Sequence, residues 1–282
     1  MSSANAEQVR YWNEVAAPTW VARQDLLDAL IATLGEQALE RAAPAPGERV
    51  LDVGCGCGAT SLALASRVGP SGEVVGADIS RPMLERARER ASAAGVAHVR
   101  FVEADAQLAE LGRGAFDLVF SRFGVMFFAD PDAAFANLRA HLRPSGRLVF
   151  VCWQGVDRNP WMLVPVMAVA KHVPLPPADP LAPGPFAFAD PERVRGILSR
   201  AGFRDVRLEA GRDDLALGGG DLDRAAEFAL EMGPAAAALR QAVEGESLRA
   251  RVRDEIREAL RPYAPDGRLR LPGATWIASA RP

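Results

Sequence analysis

The residues of this chain whose types and spacing could do chemistry are three carboxylates, each closing an apolar run, and a set of alternating glycines beside the first of them. Val50-Leu51-Asp52-Val53 carries an acid two residues before the first glycine and leads into Gly54-Cys55-Gly56-Cys57-Gly58, followed by a helical segment from Thr60 to Val68. Glycines at alternating positions let the backbone approach a ligand that side chains would hold off, and the helix behind them aims the positive end of its dipole at the same place. Asp78 closes the run Val74-Val75-Gly76-Ala77, where an acceptor suits a pair of ribose hydroxyls. Asp105 follows Phe101-Val102-Glu103-Ala104, and Phe116-Asp117-Leu118-Val119-Phe120-Ser121 brings a fourth run to the same edge. The loop alone also reads G-x-G-x-x-A through Ala59, with Asp78 about 20 residues on, which is the pattern of a nicotinamide dinucleotide site. Asp52 separates the two readings. A carboxylate there can reach the amino group of an amino-acid ligand, directly or through a water, whereas a dinucleotide has little use for it.

These residues need a parallel sheet to bring them together. Apolar runs alternating with helical periodicity predict strands over residues 49–53, 73–77, 99–103, 116–121 and 146–153, with helices over 59–68, 81–94 and 131–142 between them. A further helix, Pro191 to Ala201, leads through Gly202 to a strand at Arg204 to Leu208, and the last alternating apolar run, Thr275 to Ala280, supplies the final strand.

Taken together, the segments from about Val50 to Val151 resemble the class I S-adenosylmethionine-dependent methyltransferases. The D-x-S-x-x-M-L form at Asp78 to Leu84 and the A-D-A form at Ala104 to Ala106 are most similar to the small-molecule enzymes of the ubiquinone and menaquinone biosynthesis type. The resemblance implies an α/β fold: a Rossmann-like, seven-stranded, mostly parallel sheet with helices on both faces and a largely helical cap. It implies S-adenosylmethionine as cofactor. Asp52, Gly54, Gly56 and Gly58 would hold its methionine part and Asp78 its ribose. Asp105 and Ala106 would lie beside the adenine, with Ile79 and Met83 packing nearby. Ser121, Arg122 and Phe123 match the turn where cofactor and acceptor meet, with Ser121 on the cofactor side. The Asp/Asn-Pro-Pro-Tyr turn of amide and nucleobase amino methyltransferases is replaced here by Ser121-Arg122-Phe123-Gly124, which favours oxygen or carbon over an exocyclic amine as acceptor. Two alternatives accompany this reading: a nicotinamide-dependent oxidoreductase, and a non-catalytic protein that binds the same cofactor.

The rest of the chain must cover the site. Residues 1–48 read as an N-terminal helical lid, with Leu26, Leu27, Leu30, Ile31 and Leu34 at helical spacing and the rings of Tyr11, Trp12 and Trp20 before them. Trp12 and Trp20 are candidates to contact a positively charged sulfonium. The core spans 49–154, 190–212 and 268–282, and two cap insertions, 155–189 and 213–267, interrupt it. The first insertion is rich in proline, including Pro174, Pro176, Pro177, Pro180, Pro183 and Pro185. It also carries Trp161, Met162, Met167, Phe186 and Phe188, which are costly to leave in water. Phe123, Phe127, Trp153 and Trp161 are candidates for an aromatic wall against an apolar acceptor, and Arg122 for a carboxylate or phosphate on it. Of three histidines, His172 alone falls in an insertion and is the candidate for proton transfer.

With 282 residues, 49% of them hydrophobic, the chain can bury one large domain. A formal net charge of −3 without a dense basic block disfavours nucleic acid as a partner, and no run is apolar enough to span a bilayer, so the expected partner is a small-molecule acceptor and the expected location cytoplasmic. Cys55, Cys57 and Cys152 offer no second ligand pair at metal spacing, and no metal is expected.

Overall fold

The computed structural model describes residues 5–175, 179–240 and 246–282; Pro176 and Pro177 of the proline-rich run lie outside the described residues. Seven strands form one sheet in the order β3-β2-β1-β4-β5-β7-β6. They are β1 (Arg49–Val53), β2 (Glu73–Asp78), β3 (Val99–Glu103), β4 (Phe116–Arg122), β5 (Leu142–Trp153), β6 (Arg204–Leu215) and β7 (Leu271–Arg281). The first five pair in parallel, and β7 runs antiparallel between β5 and β6. Strand order reverses between β1 and β4, and ligands of open α/β sheets bind at the carboxyl ends of the strands at such a switch point.

The central strands are apolar on both faces because helices cover both: Val50, Leu51, Val74, Val75, Leu118, Val119 and Phe120 are all fully buried. Between the strands run α5 (Ala59–Val68), α6 (Arg81–Ala93) and α7 (Pro131–His141). Helix α7 starts where Asp130 accepts the Ala133 amide, with Pro131 at its first position. The strands at the far edge are longer than the sequence pattern suggests. β6 reaches Leu215 and β7 begins at Leu271, so the final hairpin extends past the sheet's body.

The helices of residues 1–48 are α1 (Ala6–Arg10), α2 (Ala17–Ala22), α3 (Gln24–Leu30) and α4 (Ala32–Ala42), with a π turn over Tyr11–Val15. The single periodic stripe expected from Leu26 to Leu34 is broken at Ile31, yet Leu27, Leu30, Ile31 and Leu34 all remain buried.

Both insertions leave the sheet from its carboxyl edge. After β5 come α8 (Pro160–Ala170) and the segment to α9 (Pro191–Arg200); after β6 come a 3-10 turn over Leu217–Gly220, then α10 (Leu222–Glu231), α11 (Gly233–Arg240) and α12 (Glu246–Leu260). Helix α8 packs against α10, α11 and α12, so the two insertions form one helical layer. Arg23, between α2 and α3, pairs with Glu231 of α10 at 2.8 Å and ties that layer to the N-terminal helices. A cavity of about 820 Å³ opens along this junction, lined by Leu26, Phe228 and the paired charges of α10 and α12. None of its lining residues belongs to the glycine loop or the strand ends. Among the described residues, no helix is long and apolar enough to cross a membrane.

Candidate active site

Asp52, at the end of β1, has no exposed surface. Its Oδ2 accepts from the Thr60 hydroxyl at 2.7 Å and the Ser61 hydroxyl at 2.6 Å, both on the first turn of α5, while Oδ1 is buried without a partner among the described residues. Burial pushes this carboxyl up to about 6, against the pull of the two hydroxyls and of the nearby Arg122 charge. An acceptor left in this state is completed by a cation or a water.

The three glycines of the loop do different work. Gly54 has φ +67, and a Cβ there would lie 2.8 Å from Gly124 Cα, so it is needed where the loop crosses the turn after β4. Gly58 has φ +81, and a Cβ there would lie 2.9 Å from Ala87 Cβ, so it serves helix packing rather than a ligand. Only at Gly56 would a Cβ stand clear, its nearest atom being Met83 Sδ at 3.9 Å. The loop's amides are mostly spent on its own shape. Those of Gly54 and Cys55 donate to the Ala77 carbonyl, that of Gly58 to Cys55, and that of Gly56 to Asp78 Oδ2 at 2.8 Å. What the loop offers a ligand is therefore chiefly the room at Gly56.

Asp78, at the end of β2, also accepts the Ser80 amide through Oδ1 at 2.8 Å. Burial raises its carboxyl, and these amides pull it back. Each oxygen keeps a lone pair for a further donor. The main chain at Asp78 accepts from the Ala104 amide, which brings Asp105 and Ala106 alongside. Asp105 accepts the Gln107 amide at 3.0 Å, and the Ala106 carbonyl is held by Asn137 at 3.1 Å. Ile79 is half-buried and Met83 buried.

Above these strand ends lies the π turn. Asn13 donates to the Ile79 carbonyl at 2.9 Å and accepts the Arg81 amide at 3.0 Å, while the Ser80 hydroxyl donates to the Trp12 carbonyl at 2.8 Å. This clamp holds the Trp12 ring edge-on to Phe127 at 4.9 Å and to Trp20 at 5.5 Å. Phe123, at φ +61, stacks on Trp153 at 4.3 Å with planes 10° apart, and Trp161 tilts against Trp153 at 4.9 Å. Asn159 sets the Trp161 indole by accepting its N–H at 3.2 Å while bonding to Ala274 on β7. The single wall expected from sequence is thus two: Phe127 joins the tryptophans of the N-terminal helices, and the other three rings form their own group.

Three expected residues have their polar groups engaged within the protein. Ser121 has no exposed surface. Its hydroxyl donates to the Val53 carbonyl at 2.7 Å and accepts from the Gly124 amide, so it locks the crossing of the two turns. Arg122 is engaged with Asp28 of α3 at 2.9 Å and is not free for an acceptor's anion. His172, just past α8, pairs with Glu255 of α12 beside Lys171, on the cap rather than among the rings. The other histidines are structural: His98 bonds to the Ala65 carbonyl, and His141 bridges the Leu111 amide and the Asn137 carbonyl. Burial pushes the Cys57 thiol up to about 11 and raises that of Cys55, so neither is a nucleophile at neutral pH. Sequence reasoning missed the clamp of Asn13, although Asn13 adjoins the Tyr11-Trp12 pair it singled out. It also missed Asp28, Arg90 and Asn159, whose partners are remote in sequence.

Residues 50–146 match the family model described as a methyltransferase domain. The demethylmenaquinone methyltransferase of Thermus thermophilus is 36% identical over 203 residues, covering 66% of this chain and 90% of that protein. The nocamycin O-methyltransferase of Saccharothrix syringae is 32% identical over 186 residues, 62% of this chain and 65% of its own. A solved S-adenosylmethionine-dependent methyltransferase from Aquifex aeolicus shares the fold at a TM-score of 0.52 and 22% identity, over 68% of this chain and 90% of that one. The chain belongs to the class I S-adenosylmethionine-dependent methyltransferases that act on small molecules. It takes its methyl group from S-adenosylmethionine, and the oxidoreductase alternative falls. The residues present fit that cofactor: an open place at Gly56, a buried acceptor without a partner at Asp52, and spare lone pairs on Asp78.

Proposed function

We propose that the acceptor is an apolar, flat molecule, aromatic or polyketide-like, methylated at oxygen or carbon. The observation that carries this is the face-to-face pair of Phe123 and Trp153, continued by Trp161, in a turn held against the glycine loop by the contact of Gly124 with Gly54. Planar rings stacked beside a cofactor loop favour a planar partner. The adjacent cation, Arg122, is engaged with Asp28 and only 14% exposed, which disfavours an acceptor anchored by a phosphate or carboxylate. The names of two relatives, a demethylmenaquinone methyltransferase and a nocamycin O-methyltransferase, support the same class.

In this reading Asp52 answers the amino group of the cofactor and Asp78 its ribose, while Asp105 and Ala106 flank the adenine, with Ile79 and Met83 packing beside it. The cofactor brings a methyl group on a sulfonium that is already a good leaving group. The chain's part is to align the acceptor opposite the departing sulfur and exclude water, which together can contribute several kcal/mol. Residues 1–48 act as a lid, with Trp12 and Trp20 over the cofactor, and residues 155–189 and 213–267 act as the cap. No histidine is needed as a base. We place the reaction in the cytoplasm, where the three free cysteines remain reduced.

The test is transfer of a labelled methyl group to a panel of hydroquinones and polycyclic phenols, with phosphoethanolamine and short amines as controls. Turnover of the aromatic members is expected. Preferential methylation of phosphoethanolamine would overturn the assignment.

A further inference from the structure

Asp28 lies on α3, outside every motif that names the cofactor site, yet two parts of that site meet on its carboxylate, which Gln24 of the same helix also holds. Oδ1 accepts from Arg122 Nη2 at 2.9 Å, Oδ2 accepts from Gln24 Nε2 at 2.7 Å, and Oδ2 pairs with Arg90 Nη1 at 3.1 Å. The same Arg90 nitrogen donates to the carbonyl of Cys57 at 2.7 Å, between the second and third glycines of the loop. Arg122, for its part, ends β4 immediately before the Phe123 turn and runs beneath α4, where a Cβ at Gly35 would come within 2.9 Å of its Cδ. The side chains are largely shielded, Arg122 being 14% exposed and Arg90 and Asp28 each 23%.

Two guanidiniums held this close need the carboxylate between them. Shielded ion pairs depend on each partner, because removing one leaves the others charged and poorly solvated. Without the Asp28 charge, Arg90 and Arg122 repel each other, and the way for Arg90 to relax is to leave the Cys57 carbonyl. That carbonyl is next to Gly56, where the loop is open to a ligand.

We propose that Asp28 is a positioning residue for the cofactor: through Arg90 it holds the glycine loop in its binding shape, and through Arg122 it makes that shape conditional on the N-terminal helices being seated. The proposal rests on the reading of the glycine loop as the cofactor site. Asp28 acts without touching the cofactor, and the N-terminal helices contribute to affinity by an electrostatic contact as well as by covering the ligand.

The experiment is calorimetric titration of S-adenosylmethionine into the full chain carrying Asp28→Asn, with Arg90→Gln and the double variant completing a cycle, and Asp78→Ala as control. Asp28→Asn keeps the shape and removes the charge. Cofactor Kd is expected to rise on the order of tenfold in each single variant, with the double variant no weaker than either, since both break one connection. Most of the loss should fall in KM for the cofactor rather than kcat, and amide exchange at residues 54–58 should quicken relative to β1. Should Asp28→Asn not fold, Arg90→Gln with its exchange pattern carries the same decision. A lowered Tm with unchanged cofactor Kd and unchanged loop exchange would reduce Asp28 to a structural ion pair and overturn the proposal. If Asp78→Ala also leaves Kd unchanged, the site reading itself fails; if Asp78→Ala weakens binding while Asp28→Asn does not, only the role of Asp28 fails.

Discussion

The two halves of the site are built differently. Around the glycine loop, each group is held by neighbours close in sequence or in the next strand: Asp52 by Thr60 and Ser61, Asp78 by Ser80 and Gly56. Around the aromatic rings, the partners are remote: Trp12 meets Phe127 and Ser80, and Asn159 meets Ala274. The first half therefore takes its shape from the sheet and its own helices, with the N-terminal helices adding the Asn13 clamp and the link from Asp28 through Arg90. The second depends on the N-terminal helices and both insertions being docked. A cofactor that stays constant suits the rigid half, and an acceptor suits the half whose surface can change without disturbing the sheet.

The sharpest way to break the rigid half is at Gly54. An alanine there must adopt φ near +67 with its Cβ 2.8 Å from the Gly124 backbone, and neither strand end can yield without moving the other. Gly54→Ala is expected to destabilise the fold by about 3 kcal/mol and to abolish cofactor binding. Gly56→Ala, whose Cβ meets nothing closer than 3.9 Å in the protein, should fold with a smaller penalty and still bind the cofactor poorly. Denaturant melts paired with titration separate the two. Equal stability loss at both positions would show that the distinction between a crossing glycine and a ligand-facing one is wrong.

Asp52 offers a pH test of the same half. Its folded value of about 6 lies above the ordinary 3.8, because burial disfavours the anion. The contribution of this group to the stability of the ligand-free protein is therefore fully present below about pH 4 and is lost as the pH rises through about 6. A cationic amino group beside it favours the anion, so cofactor affinity should run the other way and weaken as the pH falls through about 6, by at most about tenfold per unit. Asp52→Asn should flatten both slopes. A wild-type affinity that is level from about pH 5 to 7.5 would remove Asp52 from the cofactor's amino group.

Legibility in the sequence follows the same division. The central parallel strands are visible because burial on both faces makes continuous apolar runs, the edge strand β3 by its alternation, and each functional acid sits at or beside the end of such a run. The individual duties of the glycines are not visible, since φ and the approach of Gly124 or Ala87 are set by tertiary contact. Ser121 illustrates the limit. A small hydroxyl at a strand end reads equally well as a ligand contact or as a brace, and only its bond to the Val53 carbonyl decides. Position along the chain places Arg122 and Phe127 near the site, while their partners, Asp28 and Trp12, come from helices whose docking no local pattern specifies.

The acceptor half should break more gently. Phe123→Leu keeps an apolar side chain but removes the stacking face against Trp153, and a stacked aromatic pair is worth about 1 kcal/mol beyond its area. KM for a flat acceptor is expected to rise about fivefold, while the cofactor Kd moves less than about twofold. A cofactor Kd that rises in parallel with the acceptor KM would mean that Phe123 supports the glycine loop through Gly124 rather than the acceptor.

The smallest effect is expected at His172, and it bears on how the whole site works. Its ring is paired with Glu255 next to Lys171, so the cap surface already accounts for it. The remaining two histidines are bonded to backbone, His98 in the loop before β3 and His141 at the buried end of α7. If the chain acts by aligning donor and acceptor, removal of any imidazole from the cap costs little, because the acceptor loses its proton before it binds. His172→Gln should then leave kcat within about twofold across the neutral range, with the pH profile set by the acceptor's own acidity and shifting when a more acidic phenol is supplied. A loss of about 100-fold or more in the variant, with a profile that ceases to follow the acceptor, would instead require the cap to rearrange on binding so that His172 leaves Glu255 and faces the acceptor.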